Sequence, residues 1–301
     1  MEKMKNLIAD YINYLRVNNK AKNTITSYQT DLLQLEDYLN ANNTNVTEVG
    51  LQDLINFLAE LDKRNIIKTK APLAPTTKMR KIASIKDFFS YLFEVKEVIK
   101  ENPALRLKPP KRPVRNPAYL SLDESVKLLN NVDGNHKARD LAILTIFLNC
   151  GLRVEEIVKI KISDIKGSIL TVKGKGNKER EVPLNEMCIT AINNYLDERE
   201  SVDNDILFIT ERKSGFSVSG MQYLVKKYLK KAGIDVNKYS THDLRHTAAT
   251  LMHNNGVDIR DIQEILGHKD ISTTQIYTHV NQKNKQNAVN NNPLNQLFLA
   301  K

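Results

Sequence analysis

Residues 240–246 have the sequence STHDLRH, and this stretch is the most informative in the chain. Ser240 and Asp243 have the spacing of a capping box, which predicts a helix that begins there and ends near Gly256. His242 and Arg245 are three residues apart, so they share one face of that helix. An imidazole beside a guanidinium favours phosphoryl transfer as the chemistry of this region.

Two later stretches add to this candidate site. The pair Leu266 and Gly267 is typical of a helix end, so His268 is expected just past a C-cap, where a side chain can point into a cleft. Residues 272–275, STTQ, have capping-box spacing and predict a short helix that carries Tyr277. A tyrosine hydroxyl near histidines and an arginine could serve as a nucleophile.

A zinc site is the competing interpretation of the histidines. His242 and His246 have the i, i+4 spacing of a zincin helix. However, Asp243 stands where such a site uses a glutamate, and no acidic third ligand follows at a familiar spacing. We therefore expect no metal. The remaining histidines are expected to have no catalytic role; they are His136, His253 and His279.

Composition limits the class of protein. The chain has 301 residues and a net charge of +10, which favours a polyanionic partner such as nucleic acid over the alternative, an acidic membrane surface. No apolar run reaches the roughly 18 residues of a spanning helix, and no signal-peptide core follows Met1, so a cytoplasmic protein is expected. Two cysteines, Cys150 and Cys188, exclude a disulfide framework, and Cys150 is expected in the core.

Residues 4–98 show four apolar stripes at helical spacing, which predict a small helical bundle. Thr24 is expected to open the second helix and Pro75 the fourth. The outer faces carry basic residues that could approach a phosphate backbone or form an ordinary solvated surface. These residues are Lys20, Lys22, Lys78, Arg80, Lys81 and Lys86.

A basic, proline-rich stretch follows. Residues 101–118, ENPALRLKPPKRPVRNPA, hold five of the nine prolines and five basic residues against one acidic residue. Proline fixes φ and removes amide donors, so an extended linker is predicted. The chain is thus expected to form a domain over residues 1–100 and a second over residues 119–290.

The second domain is predicted to be mainly α with a small antiparallel β-sheet. Ser121 has capping-box spacing, and a nearly apolar helix over residues 139–149 should end at Gly151. Residues 168–172 and 181–184 flank a glycine-rich turn, as in a hairpin. That turn lacks P-loop spacing, so no nucleotide is expected. Further helices are predicted at about 185–200, 218–232, 241–254, 258–266 and 273–280.

Five motifs in order carry a resemblance to a known family. They are residues 151–156 (GLRVEE), 174–180 (GKGNKER), 242–246 (HDLRH), 266–268 (LGH) and Tyr277. This set resembles the tyrosine recombinase (phage integrase) family, and the length and linker resemble its Xer-like subgroup. The resemblance implies a helical, SAM-like core-binding domain and a catalytic domain that close as a C-shaped clamp on double-stranded DNA.

The resemblance also implies a role for each matched residue. Tyr277 attacks the scissile phosphate and forms a 3′-phosphotyrosyl bond, which conserves the phosphodiester energy, so no cofactor is needed. Arg153 and Arg245 hold the non-bridging oxygens, and His268 donates a third hydrogen bond.

The other matched residues handle protons or give support. Lys175 protonates the leaving 5′-oxygen; Lys173 and Lys178 share its hairpin, but Lys175 lies between the two glycines as in the family's motif. His242 assists Tyr277, whose ordinary pKa of about 10 calls for such help. Glu156 is expected to support an active-site arginine or histidine, and His246 to be structural.

The expected partner is DNA with inverted-repeat half-sites, bound by a homotetramer, with a paralogous recombinase or accessory protein as a possible addition. The residues expected to contact DNA are Lys22, Thr24, Lys78, Arg80, Lys111, Arg112 and Arg115. The tail, residues 291–301, carries apolar side chains after Pro293 and is expected to dock on a neighbouring protomer, with packing on its own domain as the alternative.

Two alternatives to a site-specific recombinase stay open at this point. One is a catalytically silent DNA-binding factor of the same fold, which the complete set of catalytic residues disfavours. The other is a type IB topoisomerase, which the small helical amino-terminal block disfavours. Chromosome-dimer resolution, integration of a mobile element and DNA inversion share this chemistry, and the sequence does not choose among them.

Overall fold

The computed structural model describes residues 3–111, 117–174 and 178–267. The chain divides into two compact units, Met1–Arg115 and Asn116–Lys301. Over the described ranges, every helix is too short or too polar to span a bilayer.

The first unit contains the four predicted helices. They are α1 (Met4–Val17), α2 (Lys22–Ala41), α3 (Leu51–Thr69) and α4 (Pro75–Glu94). Pro75 is the first residue of α4, as predicted, where its missing amide hydrogen costs no helical bond. The prediction for α2 was wrong by two residues. The helix begins at Lys22, because Ala21 has an extended backbone and forms the N-cap, and Thr24 lies in the first turn.

The apolar stripes of these helices form one core, with Tyr11, Leu32 and Phe88 fully buried. The expectation that Lys81 lies on an outer face was wrong. Lys81 is buried, and its Nζ donates to Asp31 Oδ1 on α2 at 2.8 Å. A buried ammonium is tolerated because this buried carboxylate pairs with it.

The predicted extended linker differs from the structure in its first part. Residues 102–107 form turns, and the Asn102 side chain accepts a hydrogen bond from the Ala104 amide at 2.9 Å. Ala104 and Leu107 are buried in the core of the first unit. Burial of these two apolar side chains accounts for the compact conformation.

The second unit is mainly helical with a small antiparallel sheet, as predicted. Its helices are α5 (Leu122–Asn130), α6 (Lys137–Cys150), α7 (Val154–Ile157), α8 (Glu186–Glu198), α9 (Val218–Lys231), α10 (Thr241–Asn254) and α11 (Ile259–Leu266). Its strands, in the order β1-β2-β3, are β1 (Ile165–Lys166), β2 (Ile169–Lys173) and β3 (Glu179–Pro183). The hairpin β2–β3 pairs Val172 with Arg180.

Helix α6 is the central element of this unit, and nine of its side chains are buried. It packs against α8 and α10. The thiols of Cys150 on α6 and Cys188 on α8 lie 3.9 Å apart in the core, so the prediction that Cys150 is a core residue is confirmed. Helix α6 ends at Gly151, which adopts φ 60°.

Candidate active site

Arg153 is placed by the turn that follows α6. It is the N-cap of the short helix α7, and Glu156 in the first turn accepts its amide hydrogen at 2.8 Å. The same carboxylate accepts a bond from Arg153 Nη1 at 3.0 Å. The Arg153 side chain is still 35% exposed, so its remaining donors can meet a ligand.

Glu156 lies at the centre of a cluster of three arginines. Its side chain is 4% exposed and accepts two bonds from the fork of Arg180, at 2.9 and 3.0 Å, besides the bonds from Arg153. Arg245 Nη1 lies 3.8 Å from Glu156 Oε2. Burial acts to raise the pKa of Glu156, but the bonds from Arg180 and the Arg153 amide outweigh it and lower the pKa overall. One carboxylate therefore offsets the charge of one guanidinium, and the cluster of three arginines keeps an excess of positive charge.

Arg245 connects the ends of two helices. It is 1% exposed and is the largest fully buried side chain in the described residues. Its Nη1 donates to the Gly151 carbonyl at 2.8 Å, and its Nη2 donates to the Leu266 carbonyl at 2.7 Å. These carbonyls end α6 and α11, so Arg245 holds together the two turns that precede Arg153 and residue 268.

The two histidines of α10 lie beside the arginine cluster. The rings of His242 and His246 are 4.5 Å apart, edge to face. Partial desolvation of its ring and then the charge of Arg245 lower the pKa of His242, which is still exposed to solvent on one side. Burial and then His242 lower the pKa of His246 to about 4. His242 is thus neutral near pH 7 and can accept a proton. Within the described ranges, the His, Cys, Asp and Glu side chains form no cluster that could hold a metal.

Asp243 caps the start of the helix. Its carboxylate accepts hydrogen bonds from the amide of Ser240 at 2.8 Å and from the Ser240 hydroxyl at 2.6 Å. These bonds fix the first turn of α10, as the spacing in the sequence predicts. The position of His242 is thereby set by the cap of its own helix.

The structure brings five predicted residues into one region: Arg153, Glu156, His242, Arg245 and His246. Three further predicted residues lie outside the described residues, as does the helix predicted at 273–280. These are Lys175, His268 and Tyr277.

Gly174 shows where the loop between β2 and β3 begins. A Cβ atom at this position would lie 3.6 Å from Arg180 Nη1 and 3.9 Å from Glu156 Oε1. The loop thus starts beside the arginine cluster. Lys173 pairs with Glu179 across the strands at 3.2 Å, and this pair is mostly exposed.

Arg180 was not singled out from the sequence. Residues of a strand alternate between faces, so Arg180 on β3 shares a face with the buried Val182. An arginine on the inward face of a strand needs a buried partner, and that signal could have identified it.

The basic residues predicted to contact DNA differ in their surroundings. Lys22 and Lys111 are exposed and Thr24 is half-buried. Lys78 pairs with Asp62, and Arg80 pairs with the buried Asp31, so each of these charges is partly offset. Two others lie outside the described residues, Arg112 and Arg115.

Comparisons with known proteins cover both units. The profile described as the Phage integrase family matches residues 118–284. The profile described as the Phage integrase, N-terminal SAM-like domain matches residues 8–96.

The proteins with similar sequences include tyrosine recombinases. The chain is 45% identical to a tyrosine recombinase XerC of Caldanaerobacter subterraneus subsp. tengcongensis, over 96% of this chain and 87% of the relative. It is 38% identical to a tyrosine recombinase XerD of Yersinia pestis, over 87% of this chain and 88% of the relative.

Solved structures share the fold. The XerH site-specific recombinase bound to palindromic difH substrate matches with a TM-score of 0.75 and 24% identity, over 89% of this chain and 79% of that chain. A lambda integrase tetramer bound to a Holliday junction matches with a TM-score of 0.72 and 18% identity, over 90% and 79% respectively.

Proposed function

The chain belongs to the phage integrase family and is a tyrosine site-specific recombinase, and from this we propose how its residues divide the work of DNA cleavage. The observation that carries the proposal is the cluster of Arg153, Arg180 and Arg245 around the single carboxylate of Glu156. An excess of guanidinium charge beside a neutral histidine suits a phosphodiester and a proton in transfer.

In the proposed cleavage step, the Tyr277 oxygen forms a bond to phosphorus while the bond from phosphorus to the 5′-oxygen breaks. Arg153 and Arg245 neutralise the charge that builds on the non-bridging oxygens. His268 donates a further hydrogen bond to the same phosphate. The number of phosphoester bonds is conserved, so rejoining is the reverse of cleavage.

Two protons move in this step. His242 accepts the proton of Tyr277, and the lowered pKa of His242 supports this role because a neutral ring has a free nitrogen to receive it. Lys175 gives a proton to the leaving 5′-oxygen. Glu156 orients Arg153, supported by the two hydrogen bonds between them.

The proposed partner is duplex DNA with inverted half-sites. Residues 1–107 would form the core-binding domain, since Ala104 and Leu107 belong to its core, residues 108–118 the linker, and residues 119–290 the catalytic domain. The net charge of +10 supports binding to DNA. The likeness to a lambda integrase tetramer on a Holliday junction supports a homotetramer that joins two sites. A paralogous recombinase could take two of the four positions.

Covalent capture tests the proposal and identifies the DNA site in the same experiment. The full chain is incubated with a library of duplexes of randomised sequence that carry a nick near the centre, so that a released fragment diffuses away and cleavage is trapped. Protein–DNA adducts that survive denaturation are recovered and sequenced. We expect adducts that define a site with inverted symmetry, with the protein attached to a 3′-phosphate.

Variants then separate binding from chemistry on the recovered site. Tyr277→Phe should bind the site and form no adduct, and Arg153→Gln should bind and cleave at least about 100-fold more slowly, as for loss of one donor to a developing oxyanion. Lys227→Gln on α9 also removes one positive charge and serves as the matched control for Arg153→Gln. An adduct that persists in Tyr277→Phe would contradict the assignment of the nucleophile.

A further inference from the structure

Arg180 makes contacts that none of the proposed catalytic roles requires. All three of its nitrogens are engaged: Nε donates to the Ile265 carbonyl at 2.8 Å, and Nη1 and Nη2 donate to Glu156. Its side chain is 13% exposed. Because all three nitrogens donate to groups of the protein, this guanidinium is built to hold those groups in place.

The end of α11 rests on this side chain. A Cβ atom at Gly267 would lie 3.0 Å from Arg180 Cδ, 3.1 Å from Nε and 3.2 Å from Cζ, so the guanidinium packs directly on the glycine backbone. Gly267 adopts φ 65°, which favours glycine. The chain therefore leaves α11 toward residue 268 from a point that Arg180 defines.

Two arginines share the task of fixing α11. Arg180 takes the Ile265 carbonyl and Arg245 takes the Leu266 carbonyl, two successive acceptors that a helix end leaves without intrahelical partners. The apolar cluster under α11 is small, with Ala249, Ile262 and Leu266 as its buried members, and the half-buried Ile265 packs against the main core. The charge-assisted bonds of Arg180 and Arg245 add to this limited apolar packing in attaching the end of α11.

We infer that Arg180 is a positioning residue for strand cleavage. It orients the guanidinium of Arg153 through their common partner Glu156, and it fixes the end of α11 through Ile265. It contacts no reacting atom. This inference rests on the proposed function, because it assumes that Arg153 neutralises the scissile phosphate.

Cleavage rates on the recovered DNA site test this inference in Arg180→Gln. Loss of a side chain that orients a metal ligand typically costs about 10–100-fold, and we expect a loss of similar size here with half-site binding unchanged. Arg180→Lys should lose nearly as much, since an ammonium cannot reproduce the fork that meets Glu156. Circular dichroism verifies the fold, and if Arg180→Gln does not fold, Arg180→Lys carries the same comparison.

The decisive readout compares two substrates. A methylphosphonate at the scissile position replaces one charged oxygen with a neutral methyl group, so a misplaced arginine matters less there. We expect the loss in Arg180→Gln to shrink about tenfold or more on the methylphosphonate, as it should in Arg153→Gln. An equal loss on both substrates in Arg180→Gln, with the Arg153 variant responding as expected, would overturn the inference.

A matched control and the parent variants keep the outcomes distinct. Arg199 also donates to main-chain carbonyls, those of Ile206 and Leu207, and these partners are not part of the arginine cluster. Arg199→Gln should therefore cleave both substrates as the wild type does. If Arg153→Gln shows no dependence on the substrate, the proposed function of Arg153 is wrong and the inference about Arg180 falls with it.

Discussion

At the scale of single residues, His246 links the site to the pH dependence of stability. Burial and the neighbouring His242 lower its pKa to about 4, while a histidine in an unfolded chain titrates near pH 6.5. Between these values the unfolded chain binds more protons than the folded chain, so stability rises with pH in this window. We expect the free energy of unfolding of the wild type to fall from pH 7.5 to pH 5. In His246→Gln it should fall by about 1 kcal/mol less, a figure that allows for the partial exposure of the ring to solvent.

Urea unfolding followed by circular dichroism at both pH values measures this difference. His136→Gln is the control, because the His136 ring is exposed and bonded to Glu211 at 3.0 Å. This control should lose at least as much stability as the wild type when the pH falls. An identical pH dependence in the wild type and in His246→Gln would count against the assignment.

The sequence predicts residue chemistry better than residue partners. Arg153, His242 and Arg245 were predicted together and lie in one region, because their local motifs mark turns and a helix start. Arg180 escaped prediction because Ile265 is 85 residues away in the chain. Lys81 was placed on an outer face because its partner is also distant in the chain. The apolar stripe of α4 does not show that Asp31 of α2 pairs with Lys81.

At the scale of elements, the turn after α6 depends on close packing against α11. A Cβ atom at Gly151 would lie 2.6 Å from Leu266 Cδ2 and 3.3 Å from the Ala248 Cβ, at φ 60°. Gly151→Ala should thus cost about 1 kcal/mol for the left-handed backbone and a further 1–3 kcal/mol, roughly, for overpacking. Because Arg245 ties this turn to α11, cleavage should slow as well. Urea unfolding and adduct formation measure the two effects.

Gly167 provides a matched control for this substitution. It has φ 59°, and nothing lies within 4 Å of a Cβ atom placed there. Gly167→Ala should therefore show only the backbone cost, about 1 kcal/mol, and cleave normally. Equal destabilisation by the two substitutions would show that the contact with Leu266 and Ala248 does not matter.

Helices α2 and α4 of the first unit are joined by a buried charge pair. Asp31 is 1% exposed and accepts bonds from Lys81 and Arg80. Asp31→Asn leaves the buried ammonium without its counter-charge and should cost about 3 kcal/mol, whereas the apolar pair Asp31→Leu with Lys81→Met should recover most of this loss. Urea unfolding of the full chain tests both variants.

The exposed pair of Glu60 and Arg64 on α3 serves as the control for Asp31. Glu60→Gln should change stability by less than about 0.5 kcal/mol, because solvent screens the pair. If Asp31→Asn lowers stability as little as Glu60→Gln does, the charge of Asp31 does not join α2 to α4.

Elements with a capping signal were predicted well, and very short elements were not. The Ser121 hydroxyl accepts the Glu124 amide at 3.1 Å, so the cap that predicted α5 is present. Strand β1 has two residues, too few for an alternating pattern to appear. Helix α2 begins without a side-chain cap, so Thr24 was wrongly predicted as its start.

At the scale of the whole molecule, the two units keep separate hydrophobic cores. Their family profiles are also separate, over residues 8–96 and 118–284. Each unit can therefore fold around its own core, and the proposed contacts with DNA phosphates would give an affinity that falls steeply with salt. Assembly of several copies requires something beyond this electrostatic attraction, and the sequence offers a candidate in the tail.

Residues 291–301 lie outside the described residues and carry four large apolar side chains, those of Leu294, Leu297, Phe298 and Leu299. If this tail docks on a neighbouring protomer, its deletion should weaken the complex of two full sites about tenfold or more, which corresponds to roughly 1.4 kcal/mol, and should leave half-site binding unchanged. Gel shift on a half-site and analytical ultracentrifugation on paired sites give the two values. Replacing the four residues with serine keeps the length and should act as the deletion does. Equal loss in both assays would instead indicate that the tail packs on its own domain.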